Sequence, residues 1–409
     1  MPHDLRAAVA QEPAIRSART ASPVDLPERP RFITDLDVLR ARRTLKWQIG
    51  PDTPDRICLG VAEMDLYPPE FLRSALVEAL GLGETGYGLP EAQEAACGRY
   101  LSDHHDADVA GLRCTTDVLT GLRTLMRSGL APGSPVIVET PVYGDLFTVV
   151  REAGLEPVAV PLLRTGAQWQ HDWAALATAA RDGGARGWIV CQPHNPVGRA
   201  WTLPEMSQAI AVCREHDLLL LANEVHIPLG MPGRAMPSAF ADGAIHGVRA
   251  FGLTSASKAF NVPGLKSATV YGSERSAAAL ADLPQSLLGR PGSLGAVATV
   301  ACYGPEGVAW LHTLREELAE RIRLVLDELA SLPVRVSATA PEATYLVWAE
   351  VDGEQDARRF AEALDTSGIH LLVGESFGGT EFDRCFRINA ASHPAVLRTA
   401  FARLRAALR

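Results

Sequence analysis

The run Leu218-Leu-Leu-Leu-Ala-Asn-Glu-Val-His226 constrains the fold more than any other stretch of the chain. It is apolar without alternation, as a strand must be when both of its faces are covered, and that is the condition of a parallel sheet. Similar runs occur at Pro135-Val-Ile-Val138, Gly187-Trp-Ile-Val190 and Ala268-Thr-Val-Tyr271, with another from Gly247 to Leu253. Amphipathic helical patterns separate them, Leu203 to His216 being the clearest. Strands alternating with helices from about residue 80 to 300 predict an α/β fold with a mainly parallel sheet.

Ligands of open α/β sheets bind beyond the carboxyl ends of the strands. Three consecutive runs place polar groups there: Asn195 in the loop of Ile189-Val-Cys-Gln-Pro-His-Asn-Pro-Val-Gly198, the pair Asn223 and His226, and Lys258 in Thr254-Ser-Ala-Ser-Lys-Ala-Phe-Asn-Val-Pro-Gly264. A lysine attacks a carbonyl only as the free amine, so a lysine set among small hydroxyl residues in a partly desolvated site is suited to forming an imine with an aldehyde.

After Gly304 the pattern changes to a long helix, Val308 to Leu332, closed by Pro333. The expected organisation is an N-terminal extension over 1–30, the N-terminal part of a small domain over 31–79, a large domain over 80–304 and a small α+β domain over 305–409. With 409 residues, of which 47% are hydrophobic, the chain can bury one large and one smaller core. A formal charge of −9 speaks against nucleic acid or an anionic membrane as partner. No apolar run reaches the about 18 residues that span a bilayer, and no signal-peptide core is evident. Seven cysteines without C-x-x-C or His/Cys spacing suggest reduced thiols, a cytoplasmic location and no metal site.

Asn195-Pro-Val-Gly198, the polar end of the 218–226 strand, Ser255-x-x-Lys258 and the late Arg387 occur in the order found in fold-type-I pyridoxal-phosphate (PLP) enzymes, the aspartate-aminotransferase superfamily, which the chain resembles. It is most similar to the MalY/PatB-type cystathionine β-lyases, through Lys46-Trp47, Val61-Ala-Glu-Met-Asp65, Gly86-Tyr87, Thr140-Pro-Val-Tyr143, Ser257-Lys-Ala-Phe-Asn261 and Thr344-Tyr-Leu-Val-Trp348. The resemblance runs from about residue 33 to the C-terminus. It implies a large PLP-binding domain and a homodimer with shared active sites acting on a small amino-acid substrate. Lys258 would join PLP and carry protons, Asn195 would bond the phenolic oxygen and Tyr143 would stack on the ring. Backbone amides around Gly121-Leu122-Arg123 would hold the phosphate, with Ser255 and Lys266 as further partners and Tyr87 reaching the neighbouring subunit's phosphate. Arg387 would fork onto the substrate carboxylate.

The family normally carries Asp where this chain has Asn223, paired with the protonated pyridine nitrogen. Glu224 is adjacent but should face the other way, since side chains alternate along a strand. His226 is placed to tune the imine. A neutral Asn223 weakens the electron sink and penalises transamination more than expulsion of a thiolate. The expected activity is therefore cleavage of a cysteine S-conjugate to thiol, pyruvate and ammonia. Oxidative deamination or decarboxylation of such a conjugate in a specialised sulfur-metabolite pathway, transamination, and a non-catalytic role remain the alternatives. Glu63, Met64, Arg123, Leu288 to Pro291 and Glu375 are candidates for the lining around the substituent.

Overall fold

A computed structural model of the chain describes residues 28–49, 55–88, 90–166 and 168–409. The expected N-terminal extension, apart from its last three residues, lies outside them.

Seven strands form the main sheet: β1 (Gly111–Thr115), β2 (Pro135–Thr140), β3 (Glu156–Pro161), β4 (Gly187–Cys191), β5 (Leu219–Asn223), β6 (Ala250–Thr254) and β7 (Ala268–Gly272). Their order is β1-β7-β6-β5-β4-β2-β3, and only β7 runs antiparallel to its neighbours. Every residue of β4, β5 and β6 is buried. Leu220 and Ala222 enter one hydrophobic core, Leu219 and Leu221 the core on the opposite face. Each fully buried leucine contributes roughly 2 kcal/mol over an exposed one, so a one-residue slip of β5 would exchange two well-filled environments. This alternation sends Asn223 to one face and Glu224 to the other.

Helix Val118–Gly129 follows β1. Asp117 caps it by accepting from the Thr120 amide at 2.8 Å, so the helix begins before Gly121. A Cβ at Gly121 would stand 2.6 Å from Leu253 Cδ2 and 3.2 Å from Val270 Cγ2; glycine allows the helix to lie directly on β6 and β7. Helix Leu203–Glu215 is fixed by a reciprocal capping box between Thr202 and Glu205. The long helix runs Pro305–Ala330 and starts three residues earlier than its apolar pattern, because Pro305 is accepted at the first helical position.

A second, antiparallel sheet of β8 (Val336–Ala338), β9 (Leu346–Val351), β10 (Leu372–Val373) and β11 (Cys385–Asn389) has the order β8-β9-β11-β10. It shares its own hydrophobic core with helices Glu354–Ser367 and Pro394–Ala407 and with Ile33, Leu39, Trp47 and Ile57 from the N-terminal segment.

Candidate active site

A cleft of about 590 Å³ opens over the carboxyl ends of β4, β5 and β6. Asn195, Asn223, His226, Lys258, Tyr143, Ser255, Lys266 and Arg387 all line it, so residues separated by up to 244 positions meet in one place.

Lys258 is half-buried, and its Nζ donates to the Ala62 carbonyl at 3.2 Å. Burial and then the Arg387 charge lower its pKa to about 8. Arg387 reaches the cleft from β11. Its Nη1 donates to Asn195 Oδ1 and its Nη2 to the Gly60 carbonyl, both at 2.9 Å, while its guanidinium lies 5.0 Å from the Phe377 ring centre. Its buried Nε has no acceptor among the described residues. Burial lowers even this guanidinium to about 10, the electrostatic condition of a group awaiting an anion.

Asn195 spends its oxygen on Arg387 and keeps its amide hydrogens for the cleft. Asn223 Oδ1 accepts from the Val225 amide at 3.3 Å. His226 is buried with its Nδ1 unpartnered among the described residues, and burial, then Lys258 and Arg387, hold its pKa well below the usual histidine range. It is a neutral imidazole at pH 7. The Tyr143 hydroxyl bonds Asp145, and burial and that carboxylate push it up, so it stays a neutral phenol. Glu224 lies on the opposite face of the strand, held by Tyr271, Ser238 and the Ala239 amide.

The helix terminus differs from the sequence expectation. The Gly121 amide donates to the Asp117 carbonyl at 3.0 Å, Leu122 is fully buried in the core, and Arg123 pairs with Glu152 at 2.6 Å. None of the three lines the cleft, because capping at Asp117 starts the helix at Val118 and places them inside its first turns. The residues that reach the cleft are Asp117, Val118 and Leu119. An Asp before a helical pattern was a legible cap signal. Burial alone would raise the Asp117 carboxyl, but the Thr120 amide and Lys266, 3.0 Å away, outweigh it and lower it. Ser255 donates to the Ser267 carbonyl at 2.6 Å, and Ser257, a further cleft residue, adds a second hydroxyl to the same corner.

Of the other proposed lining residues only Glu63 reaches the cleft; Met64 and Leu288 are core residues. Tyr87 is 94% exposed and outside it. Sequence reading gave no role to the backbone of the ribbon Gly60–Met64, whose carbonyls are all claimed by side chains. Arg387 takes Gly60, Asn389 takes Val61 and Glu63, and Lys258 and Tyr345 share Ala62. Lys46 also bonds Glu63 O, and Asn261 takes Met64 O. A buried pair, Lys46 with Asp65 at 2.7 Å, anchors the end of the ribbon.

The donors fit an anionic, carbonyl-bearing group. The amides of Val118 and Leu119 and the Ser257 and Lys266 side chains suit a phosphate at a helix N-terminus, Lys258 suits the aldehyde, and Arg387 Nε suits a carboxylate.

The chain matches the family model described as aminotransferase class I and II over residues 59–404. It is 28% identical over 370 residues to cystathionine beta-lyase PatB of Bacillus subtilis (strain 168), covering 87% of this chain and 93% of that protein. It is 26% identical over 350 residues to protein MalY of Escherichia coli (strain K12), covering 83% and 88%. Cystalysin of Treponema denticola, whose crystal structure contains a pyridoxal 5′-phosphate cofactor, is similar with a TM-score of 0.81 at 25% identity, over 90% of this chain and 96% of that one.

Proposed function

The chain belongs to the aminotransferase class I and II family, and on that footing we propose that it is a PLP-dependent carbon–sulfur lyase that cleaves a cysteine S-conjugate to a thiol, pyruvate and ammonia. PLP, when bound, supplies the aldehyde and the conjugated ring that withdraws electrons from the substrate carbon. Lys258 would hold it covalently, Tyr143 would face its ring, and Asn195 would donate to its phenolic oxygen. Val118, Leu119, Ser257 and Lys266 would surround its phosphate, with Ser255 buttressing the corner.

The chain's own groups then divide the work. Arg387 binds the α-carboxylate through Nε and its remaining N–H groups, and its bonds to Asn195 and Gly60 fix the plane of the fork. Lys258 Nζ, as a free amine, would accept the α-proton and could return it to the departing sulfur. Leu45, Ile49, Leu372 and Phe377 form the apolar side of the cleft, suited to a thioether substituent. The observation that carries this reading is a half-buried lysine with its pKa lowered to about 8 sharing one cleft with an arginine whose Nε is unpartnered among the described residues.

The proposal includes a homodimer in which Tyr87, exposed in the single chain, completes the partner's site, and a division of the chain at about residues 80 and 304. The test is to mix PLP-loaded protein with a panel of cysteine S-conjugates and follow pyruvate, ammonia and oxygen. Equal pyruvate and ammonia without oxygen uptake, abolished by Lys258→Ala, is the expected result. Oxygen consumption, or carbon dioxide with an aldehyde, would overturn it.

A further inference from the structure

We infer that this cleft holds its cofactor with an uncharged pyridine ring, the ring nitrogen accepting a hydrogen bond from the Asn223 amide in place of carrying a proton. The inference rests on the assignment of PLP to the cleft and concerns one atom of it.

Three observations support it. Val225 N–H is a donor, so the Asn223 atom that meets it is the oxygen, and the NH₂ group is the one left for the cleft. An NH₂ group donates; it can pair with a bare ring nitrogen and has nothing to offer a protonated one. Secondly, the floor around Asn223 is uncharged. Cys191, its register partner on β4, is a thiol pushed up to about 12 by burial and the more distant Glu139. Val225 is apolar, and His226 is neutral.

Thirdly, among the described residues no carboxylate in the cleft is free to balance a pyridinium there. Glu224 is committed on the far face of the strand. Asp117 is paired with Lys266, and Asp145 accepts from Tyr143. Glu63 belongs to the ribbon beside Lys258 and favours that amine's charged form. With Lys266 matched by Asp117 and Lys258 facing Glu63, the cation left without a carboxylate in the cleft, among the described residues, is Arg387. A proton on the ring would add a positive charge to a low-dielectric site that already holds an unmatched cation. An uncharged ring withdraws electrons less strongly. It therefore suits substrates whose β-substituent departs as soon as the α-proton is removed, as a thiolate does, and disfavours reactions that must hold the charge for longer.

The test is ¹⁵N NMR of the full-length enzyme loaded with PLP labelled at the ring nitrogen. The expected resonance lies at the position of an unprotonated pyridine reference and stays there from pH 6 to 9. Asn223→Asp is expected to move it to the pyridinium position, and Asn223→Ala, which adds no charge, to leave it unprotonated. A wild-type resonance at the pyridinium position would overturn the inference while leaving the PLP assignment intact, and this needs no variant to fold. Absence of any bound label, with no visible absorption band, would overturn the PLP assignment and the inference together.

Discussion

Lys258 shows how much a single residue owes to its surroundings. A lysine with an ordinary pKa near 10.4 has about one amine in a thousand free at pH 7.4, whereas a pKa of about 8 leaves roughly one in five. The lowering comes from burial first and Arg387 second, so it belongs to the folded cleft. Capture of PLP by the cofactor-free protein is therefore expected to quicken with rising pH through a midpoint near 8, read by stopped-flow absorbance. A midpoint near 10 would mean that the amine is more hydrated than its burial implies. Arg387→Met should move the midpoint to higher pH, since removing a neighbouring cation makes Lys258 easier to protonate.

At the scale of an element, helix Val118–Gly129 matters for how closely it approaches the sheet. Gly121→Ala would drive a Cβ to 2.6 Å from Leu253, and the helix must shift or Leu253 must repack. Overpacking of this kind typically costs about 1–3 kcal/mol. The expected outcome is lower chemical-denaturation stability together with weaker PLP binding, because the displaced helix carries Val118 and Leu119 with it. A stability loss with unchanged PLP affinity would dissociate the helix from the phosphate corner. The same helix marks the limit of sequence reading. The strands of the main sheet were legible because an unbroken apolar run such as Leu218–Ala222 has few other uses. The residues at their ends followed from the rule that such sheets bind ligands at one edge. The phosphate contacts expected around Gly121–Arg123 were misplaced, since the cap at Asp117 starts the helix at Val118 and draws those three residues into its first turns. The ribbon Gly60–Met64 was recognised only as part of a resemblance. Its contribution is made by backbone carbonyls, which every residue possesses and no side-chain pattern announces.

Across the whole molecule, buried ionisable groups set how stability responds to pH. Burial raises Glu224 to about 7, against the pull of Tyr271, the Ala239 amide and Ser238. Between about 4.5 and 7 the folded chain thus retains a proton that the unfolded chain releases. This contribution is complete at acid pH and is lost as pH rises through 7. Glu224→Gln, neutral at every pH, is expected to lose less Tm than the parent between pH 5 and 8 by scanning calorimetry; equal losses would acquit Glu224. The ribbon has a different consequence at this scale. Its carbonyls are held by Lys258 and Asn261 from the main sheet's side and by Arg387, Asn389 and Tyr345 from the second sheet's side. The two sheets are thus riveted along one strip of backbone as well as through the core that Leu346 and Trp348 enter beside the main sheet, and heat should undo them in a single calorimetric transition, with Asn389→Ala lowering its Tm.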